Sequence, residues 1–339
     1  MCGTVGLFLG CSAVTLCPKK LLAGGMSEAS EQTAEYKSPF GSWYERSTVR
    51  RNPRRIVSER EPGEYYFAPE LTPLTRHPLV TELRPELFDQ VLVRQLLRYL
   101  HFTTVLETLV VNRTVLGIAN GSIGVDVPDE MRLDAYKIYC DEAYHALFSA
   151  DLTRQVRTLT GVTTQEPQDP FFLRRLQGLL QEVPRDLAPI VDILFVVVSE
   201  TLISAQLSEI PSGGRLVPAV RDVVRDHALD EGRHHAYFAA FLRYLWGSLS
   251  PAQRKAAALH VPRLIRIFID PDEPSIRSEL TSYGISQDGA RQIVAELFPA
   301  ELVATHAGSA AKQTVRYFVD LGVLDDLEVH EAFVTAGLV

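Results

Sequence analysis

Two stretches of this chain concentrate side chains that bind cations. In Arg225-Asp226-His227-Ala228-Leu229-Asp230-Glu231-Gly232-Arg233-His234-His235, the residues His227, Glu231 and His234 fall one above another on a single helix face. The second stretch is Glu142-Ala143-Tyr144-His145. A carboxylate three residues before a histidine says little alone. With 42 acidic residues and 9 histidines among 339 positions, about one such pair arises by chance. Here Glu142/His145 and Glu231/His234 both sit inside stretches of helical apolar periodicity. Each glutamate also follows an aspartate, Asp141 and Asp230. His235 points about 100° away from His234 and is left as a neighbour.

Two further glutamates stand in apolar surroundings, Glu107 in Val105-Leu106-Glu107-Thr108-Leu109-Val110-Val111 and Glu200 in Val196-Val197-Val198-Ser199-Glu200-Thr201-Leu202-Ile203. Burying an unpaired carboxylate costs on the order of several kcal/mol, so each must be paired, protonated or bound to a cation. The spacing nearly repeats, with 35 residues from Glu107 to Glu142 and 31 from Glu200 to Glu231, which suggests a two-fold arrangement of helix pairs. One Glu from each of two helices and a Glu-x-x-His from each of two others is the ligand set of dimetal carboxylate four-helix bundles. Carboxylates bridge two cations and each imidazole terminates one of them. Asp141 and Asp230 are expected to accept hydrogen bonds from the far nitrogens of the histidines. Thr104, Val111, Ile203 and Leu207 are expected to line a neutral substrate pocket beside the glutamates.

The elements needed to carry these residues are legible as helices. From Pro85 the apolar residues recur at helical spacing through Val110, up to a loop over Gly117–Gly124. A second helix is expected from Pro128-Asp129-Glu130 towards Gly161, a short one over 171–180, a third over 190–209 and a fourth over 219–246. The run Ile193 to Val198 is β-branched enough for a strand, but its unbroken length favours a buried helix. After Ser250 further amphipathic helices are expected, with breaks at Pro271, Pro274, Gly284 and Pro299. No run of alternating strands and no tandem repeat is present. The expected class is all-α, a ferritin-like four-helix bundle with additional helices.

Composition bounds the alternatives. Hydrophobic residues make up 46% and charged residues 22%, as in a soluble globular protein, and the net charge of -8 disfavours nucleic acid as a partner. No uninterrupted apolar run reaches the roughly 18–20 residues of a membrane span, so no membrane partner is expected. Cys2, Cys11 and Cys17 crowd the first 17 residues and Cys140 is the only other cysteine, which favours a reducing, cytoplasmic compartment over a disulfide framework. The start Met1-Cys2-Gly3 resembles an N-terminal-nucleophile amidotransferase, and Val5–Leu16 a secretory core, but neither has its flanking context. Residues 1–40 are read as a loose extension, with Met26 as a possible working start. Residues 26–84 read as a solvated, proline-broken arm wrapping the core. Its Arg46, Arg50, Arg51, Arg54 and Arg55 could meet an acidic partner.

Taken together, the motifs resemble the di-iron N-oxygenases related to p-aminobenzoate and chloramphenicol-precursor N-oxygenases. His227, one turn before Glu231, matches the extra histidine of that family, and the resemblance covers about residues 40–320. It implies seven metal ligands, Glu107, Glu142, His145, Glu200, His227, Glu231 and His234. It implies two iron ions, O2 as co-substrate, an external electron donor or donor protein, and one di-iron oxygenase domain over 41–339. The implied reaction converts a small-molecule or carrier-tethered amine to the hydroxylamine, and in some members onward to nitroso and nitro, in specialised metabolism such as antibiotic biosynthesis. A homodimer is expected. A di-iron hydroxylase or desaturase acting on an acyl or carrier-tethered substrate is the alternative, and it does not require His227.

Overall fold

A computed structural model describes residues 35–82, 85–163, 169–209 and 215–339. The cysteine-bearing start and its apolar run lie outside the described residues. Among the described residues there is no strand, and a lone bridge joins Tyr65 to Leu216.

The arm holds three short helices, α1 (Trp43–Arg46), α2 (Thr48–Arg51) and α3 (Pro78–Thr81). The bundle follows as α4 (Pro85–Val105), α5 (Asn112–Ala119), α6 (Asp129–Thr160), α8 (Ala188–Glu209) and α9 (Pro218–Ser248), with α7 (Phe171–Glu182) crossing between α6 and α8 in sequence. The tail adds α10 (Pro251–Ala258), α11 (Val261–Ile269), α12 (Glu273–Ser282), α13 (Gln287–Leu297), α14 (Ala300–Asp320) and α15 (Leu327–Thr335). A single turn of π-helix, Leu106–Val111, joins α4 to α5, so that 85–119 is one helix with one wide turn in its middle.

Packing explains the composition of each helix. α4 and α5 lie along α6, α8 lies along α9, and α6 meets α9, which makes the expected two pairs. α7, α11 and α14 close the remaining sides of α8. The middle of this helix is therefore covered, and Leu194 through Ile203 are all buried. The β-branched run is the signature of a surrounded helix rather than a strand. Glu86–Ala119 is long and apolar enough on average to cross a bilayer, a requirement that the uninterrupted-run criterion had not met. Most of its surface is turned into the bundle, and its centre carries Glu107.

Two helix ends differ from expectation. The first helix runs through Gly117 to Ala119, and a Cβ at Gly117 would come within 2.6 Å of the Ile123 side chain, so glycine admits the returning loop. Pro274 lies in the first turn of α12, where a missing N–H costs nothing, and starts that helix rather than breaking it. α6 ends as expected at Gly161, whose φ of 66° is the left-handed cap.

The arm wraps the core, with many exposed residues between buried anchors. Phe40, Trp43, Ser47, Thr48, Val57, Tyr66, Phe67, Leu74 and Val80 are buried. Of the residues assigned to the loose extension, 35–40 are described, and Tyr36 and Phe40 pack into the main core. Arg54 forms a two-pronged pair with Asp151 of α6, and Arg55 pairs with Asp226 of α9 at 2.6 Å. Arg50 lies over the rings of Trp43 and Tyr44. At least these three arginines are thus used within the chain. The apolar anchors of the arm have no regular spacing, which is why periodicity did not reveal them.

Phe195 sits between Phe172 and Phe268, with ring centroids 6.1 and 6.4 Å away. Phe195→Ala is expected to cost about 3–5 kcal/mol in urea denaturation. Leu327→Ala, at an 86% exposed position, is expected to stay within about 0.5 kcal/mol of the parent.

Candidate metal centre

The bundle brings all seven expected side chains to one place, and each is buried to 2% exposure or less. Glu107 comes from the π turn, Glu142 and His145 from α6, Glu200 from α8, and His227, Glu231 and His234 from α9. Two groups of four form, Glu142/His145/His227/Glu231 and Glu142/Glu200/Glu231/His234, each with its candidate ligand atoms within 4.8 Å of one another. Glu142 and Glu231 belong to both groups, the placement that bridging carboxylates need. Glu107 borders the first group, its Oε1 lying 3.6 Å from His227 Nε2.

The π turn is a local reason for the position of Glu107. A regular helix places residues seven apart on one face, so Thr104 and Val111 would share a lining. The wide turn between them removes that relation. Thr104 is half-buried, bonds back to the Leu100 carbonyl and borders a surface groove with His101 and Arg157. Val111, Ile203 and Leu207 belong to the main apolar core. The hydroxyl oxygens of Tyr99, Thr103 and Ser149 are also buried, that of Ser149 without a hydrogen-bond partner. Thr103 stands four residues before Glu107; burial pushes the Tyr99 phenol up, against a hydrogen bond with Thr103 that lowers it.

The histidines are braced across the bundle. His145 of α6 points Nε2 at Asp230 of α9, at 3.4 Å, and His234 of α9 points Nε2 at Asp141 of α6, at 3.2 Å. Their Nδ1 atoms face inward, 2.9 and 2.7 Å from the two oxygens of Glu142. Each aspartate therefore serves the other helix's histidine, and the two halves of the centre repeat one design. The arm fixes both aspartates. Trp43 Nε1 donates to both oxygens of Asp141, at 2.9 and 2.8 Å, and Ser47 donates to it at 3.1 Å. The Thr48 backbone N–H donates to Asp230 at 3.1 Å, and the Thr48 hydroxyl donates to it as well. The aspartates were expected from sequence; the tryptophan, serine and threonine were not.

Charge in this space is unbalanced. Burial, then the neighbouring carboxylates, pushes Glu107 and Glu200 well above the usual carboxylate range. For Glu142 and Glu231 burial acts upward too, but the His234 charge and histidine hydrogen bonds win and hold both low, Glu142 at about 2. Burial acts downward on His145 and His234, but hydrogen bonds to Asp230 and Glu142 at His145, and the charges of Glu142 and Glu231 at His234, outweigh it and hold both imidazoles well above their ordinary value. Burial and the His145 charge push His227 down. Both oxygens of Glu107 and both of Glu200 are buried with no donor. Native cores rarely leave such atoms unsatisfied, and four carboxylates with three imidazoles are a donor set for cations such as iron or manganese. The residues present fit a metal pair.

A carboxyl raised in the folded state penalises folding once pH exceeds its unfolded value near 4.5, and the penalty is full above the folded value. Glu200→Gln should therefore stabilise the metal-free protein, by on the order of 1–3 kcal/mol near pH 8 and by little near pH 4. Denaturation at both pH values after chelation measures this. Metal loading should release protons from His145, His234, Glu107 and Glu200, so affinity should rise with pH, which calorimetry in buffers of different ionisation heat detects.

Residues 30–322 match the family described as p-aminobenzoate N-oxygenase AurF. The chain is also 26% identical, over 238 residues, to a 4-aminobenzoate N-oxygenase of Streptomyces thioluteus, an alignment covering 67% of this chain and 68% of that relative. The matched region contains the four bundle helices and all seven convergent side chains. With its buried carboxylate and imidazole cluster, this chain belongs to the p-aminobenzoate N-oxygenase AurF family and is an oxygenase.

Proposed function

We propose that this protein is an O2-dependent amine N-oxygenase that holds two iron ions through Glu107, Glu142, His145, Glu200, His227, Glu231 and His234. The observation that carries the reading is the seven-residue cluster, with the oxygens of Glu107 and Glu200 buried and lacking any donor. The ions would supply the activation of oxygen, which protein side chains cannot provide. Formation of the hydroxylamine puts one oxygen atom into the new N–O bond and releases the other as water. Two electrons and two protons come from an external reductant.

The chain's own residues contribute geometry and exclusion of water. Glu142 and Glu231, which belong to both groups of four, would be shared by the two ions, and His145 and His234 are held by Asp230 and Asp141 with Nδ1 inward. His227 adds a third imidazole to one side only, its ring centroid 4.3 Å from that of His145 and its Nε2 3.0 Å from Glu231. That third imidazole favours nitrogen oxygenation over the hydroxylase or desaturase alternative. The name of the Streptomyces relative suggests an aromatic amine of the aminobenzoate kind as substrate, and a carrier-tethered amino compound is the variant to compare. Further oxidation to the nitro compound would balance with one more O2 and no external electrons, the hydroxylamine itself supplying the electrons that reduce one oxygen atom to water.

Metal analysis of purified protein should find about two irons per chain, by the ligand count of such centres. Glu142→Ala and His234→Ala should lose most of them. The reduced protein, given O2 and a panel of aromatic amines, should form hydroxylamines visible by mass spectrometry. His227→Ala should reduce that product by at least about tenfold. Absence of both iron and manganese would sink the dimetal assignment. Unchanged amine oxidation by His227→Ala would sink the role given to the third imidazole.

A further inference from the structure

We propose that Trp43, Ser47 and Thr48 form a clasp that positions the two terminal imidazoles and so sets how tightly each of the two metal positions is held. The proposal rests on the dimetal reading above. Trp43 is the first residue of α1, and Ser47 and Thr48 are the consecutive residues where α1 gives way to α2. Ser47 is extended (φ -60°, ψ 132°), which lets neighbouring residues turn to opposite sides, Ser47 to Asp141 and Thr48 to Asp230. One short stretch of the arm thereby reaches the outer partner of His234 and the outer partner of His145. All three arm residues are buried, so their hydrogen bonds exclude water from the back of each imidazole.

The rest of the arm holds this stretch in place. Upstream, the Tyr36 hydroxyl donates to Asp134 of α6 at 2.7 Å, and the Phe40 ring lies nearly parallel to that of His234, with centroids 6.0 Å apart. Downstream, Arg54 and Arg55 pair with α6 and α9, and the Val57 N–H donates to Gln155 at 2.9 Å. Docking of the arm and the orientation of both histidines are thus one structural event.

The clasp is asymmetric. Asp230 receives a further donor, Arg233, from its own helix. Asp141 receives its hydrogen bonds, among the described residues, from His234, Trp43 and Ser47. Removing the indole N–H therefore leaves the His234 side with less support than removing the Thr48 hydroxyl leaves the His145 side. Outer partners of this kind commonly change metal affinity by about 10–100-fold. Coupling is reciprocal: if a docked arm strengthens metal binding, bound metal must strengthen docking by the same factor.

The test titrates the full chain with cobalt(II), whose visible absorption reports its ligands, using the parent protein, Trp43→Phe, Thr48→Val and Thr48→Ser. Trp43→Phe should weaken one of the two binding steps by about 10–100-fold, with a changed cobalt spectrum. Thr48→Val should weaken the other step by a smaller factor, and Thr48→Ser, which keeps the hydroxyl, should restore it. In the parent protein, cobalt should slow tryptic cleavage at Arg50, Arg51 and Arg54, a readout that needs no variant to fold. Parent-like affinity at both steps in Trp43→Phe and Thr48→Val, with cleavage indifferent to cobalt, overturns the clasp and leaves the dimetal reading standing. If the parent itself binds no cobalt, iron or manganese, both fall together.

Discussion

Four carboxylates share a space from which water is excluded, and their mutual repulsion is the constraint around which this fold is arranged. At short range in a medium of low polarity such repulsion is far larger than in water. Two of the four, Glu142 and Glu231, are relieved by imidazoles; Glu107 and Glu200 have no donor, and burial with the neighbouring carboxylates pushes both well above the usual carboxylate range. Polar atoms left unmatched in an otherwise well-packed core mark a structure shaped for something it must bind. The surrounding architecture resists the repulsion. The middle of α8 is buried against its neighbours, and His145 and His234 are each braced by an aspartate from the opposite helix pair.

That cross-bracing ties orientation to the packing of whole helices. His145 cannot turn without disturbing its contact to α9, nor His234 without disturbing its contact to α6. The tail adds support from outside. Thr314 of α14 donates to Thr201, next in sequence to Glu200, and His235 meets the Tyr317 hydroxyl at 2.6 Å. Segments far from the ligands in sequence thus bear on residues adjacent to them.

The bundle and its seven convergent side chains were legible because both depend on local repetition. Apolar residues at helical spacing define a helix, and Glu-x-x-His reads as one face of it. Asp141 and Asp230 were legible for the same reason, each one residue before a ligand candidate. The arm was not. Trp43, Ser47 and Thr48 act through contacts spanning 94 to 182 residues, and no local pattern predicts where an irregular segment will lie. Thr104 and Val111 lie on either side of a wide turn that no local pattern announces, Thr104 at a surface groove and Val111 in the main core. Buried hydroxyls such as those of Thr103 and Ser149 have no sequence signature, since only burial distinguishes them from surface residues.

The wide turn at Leu106–Val111 has a consequence for how the long first helix is read. Upstream, Leu92, Leu96, Leu97 and Leu100 serve the apolar cluster shared with the arm; downstream, Val110, Val111, Val115 and Ile118 serve the main core. The turn is a change of phase between two registers, each fitted to a different neighbour. In that stretch the number of residues matters as much as their identity. Shortening it by one would remove a side chain and let the stretch close to a regular helix, turning residues within it by up to about 100° from their present faces. Glu107 would then belong to a different face of the same helix.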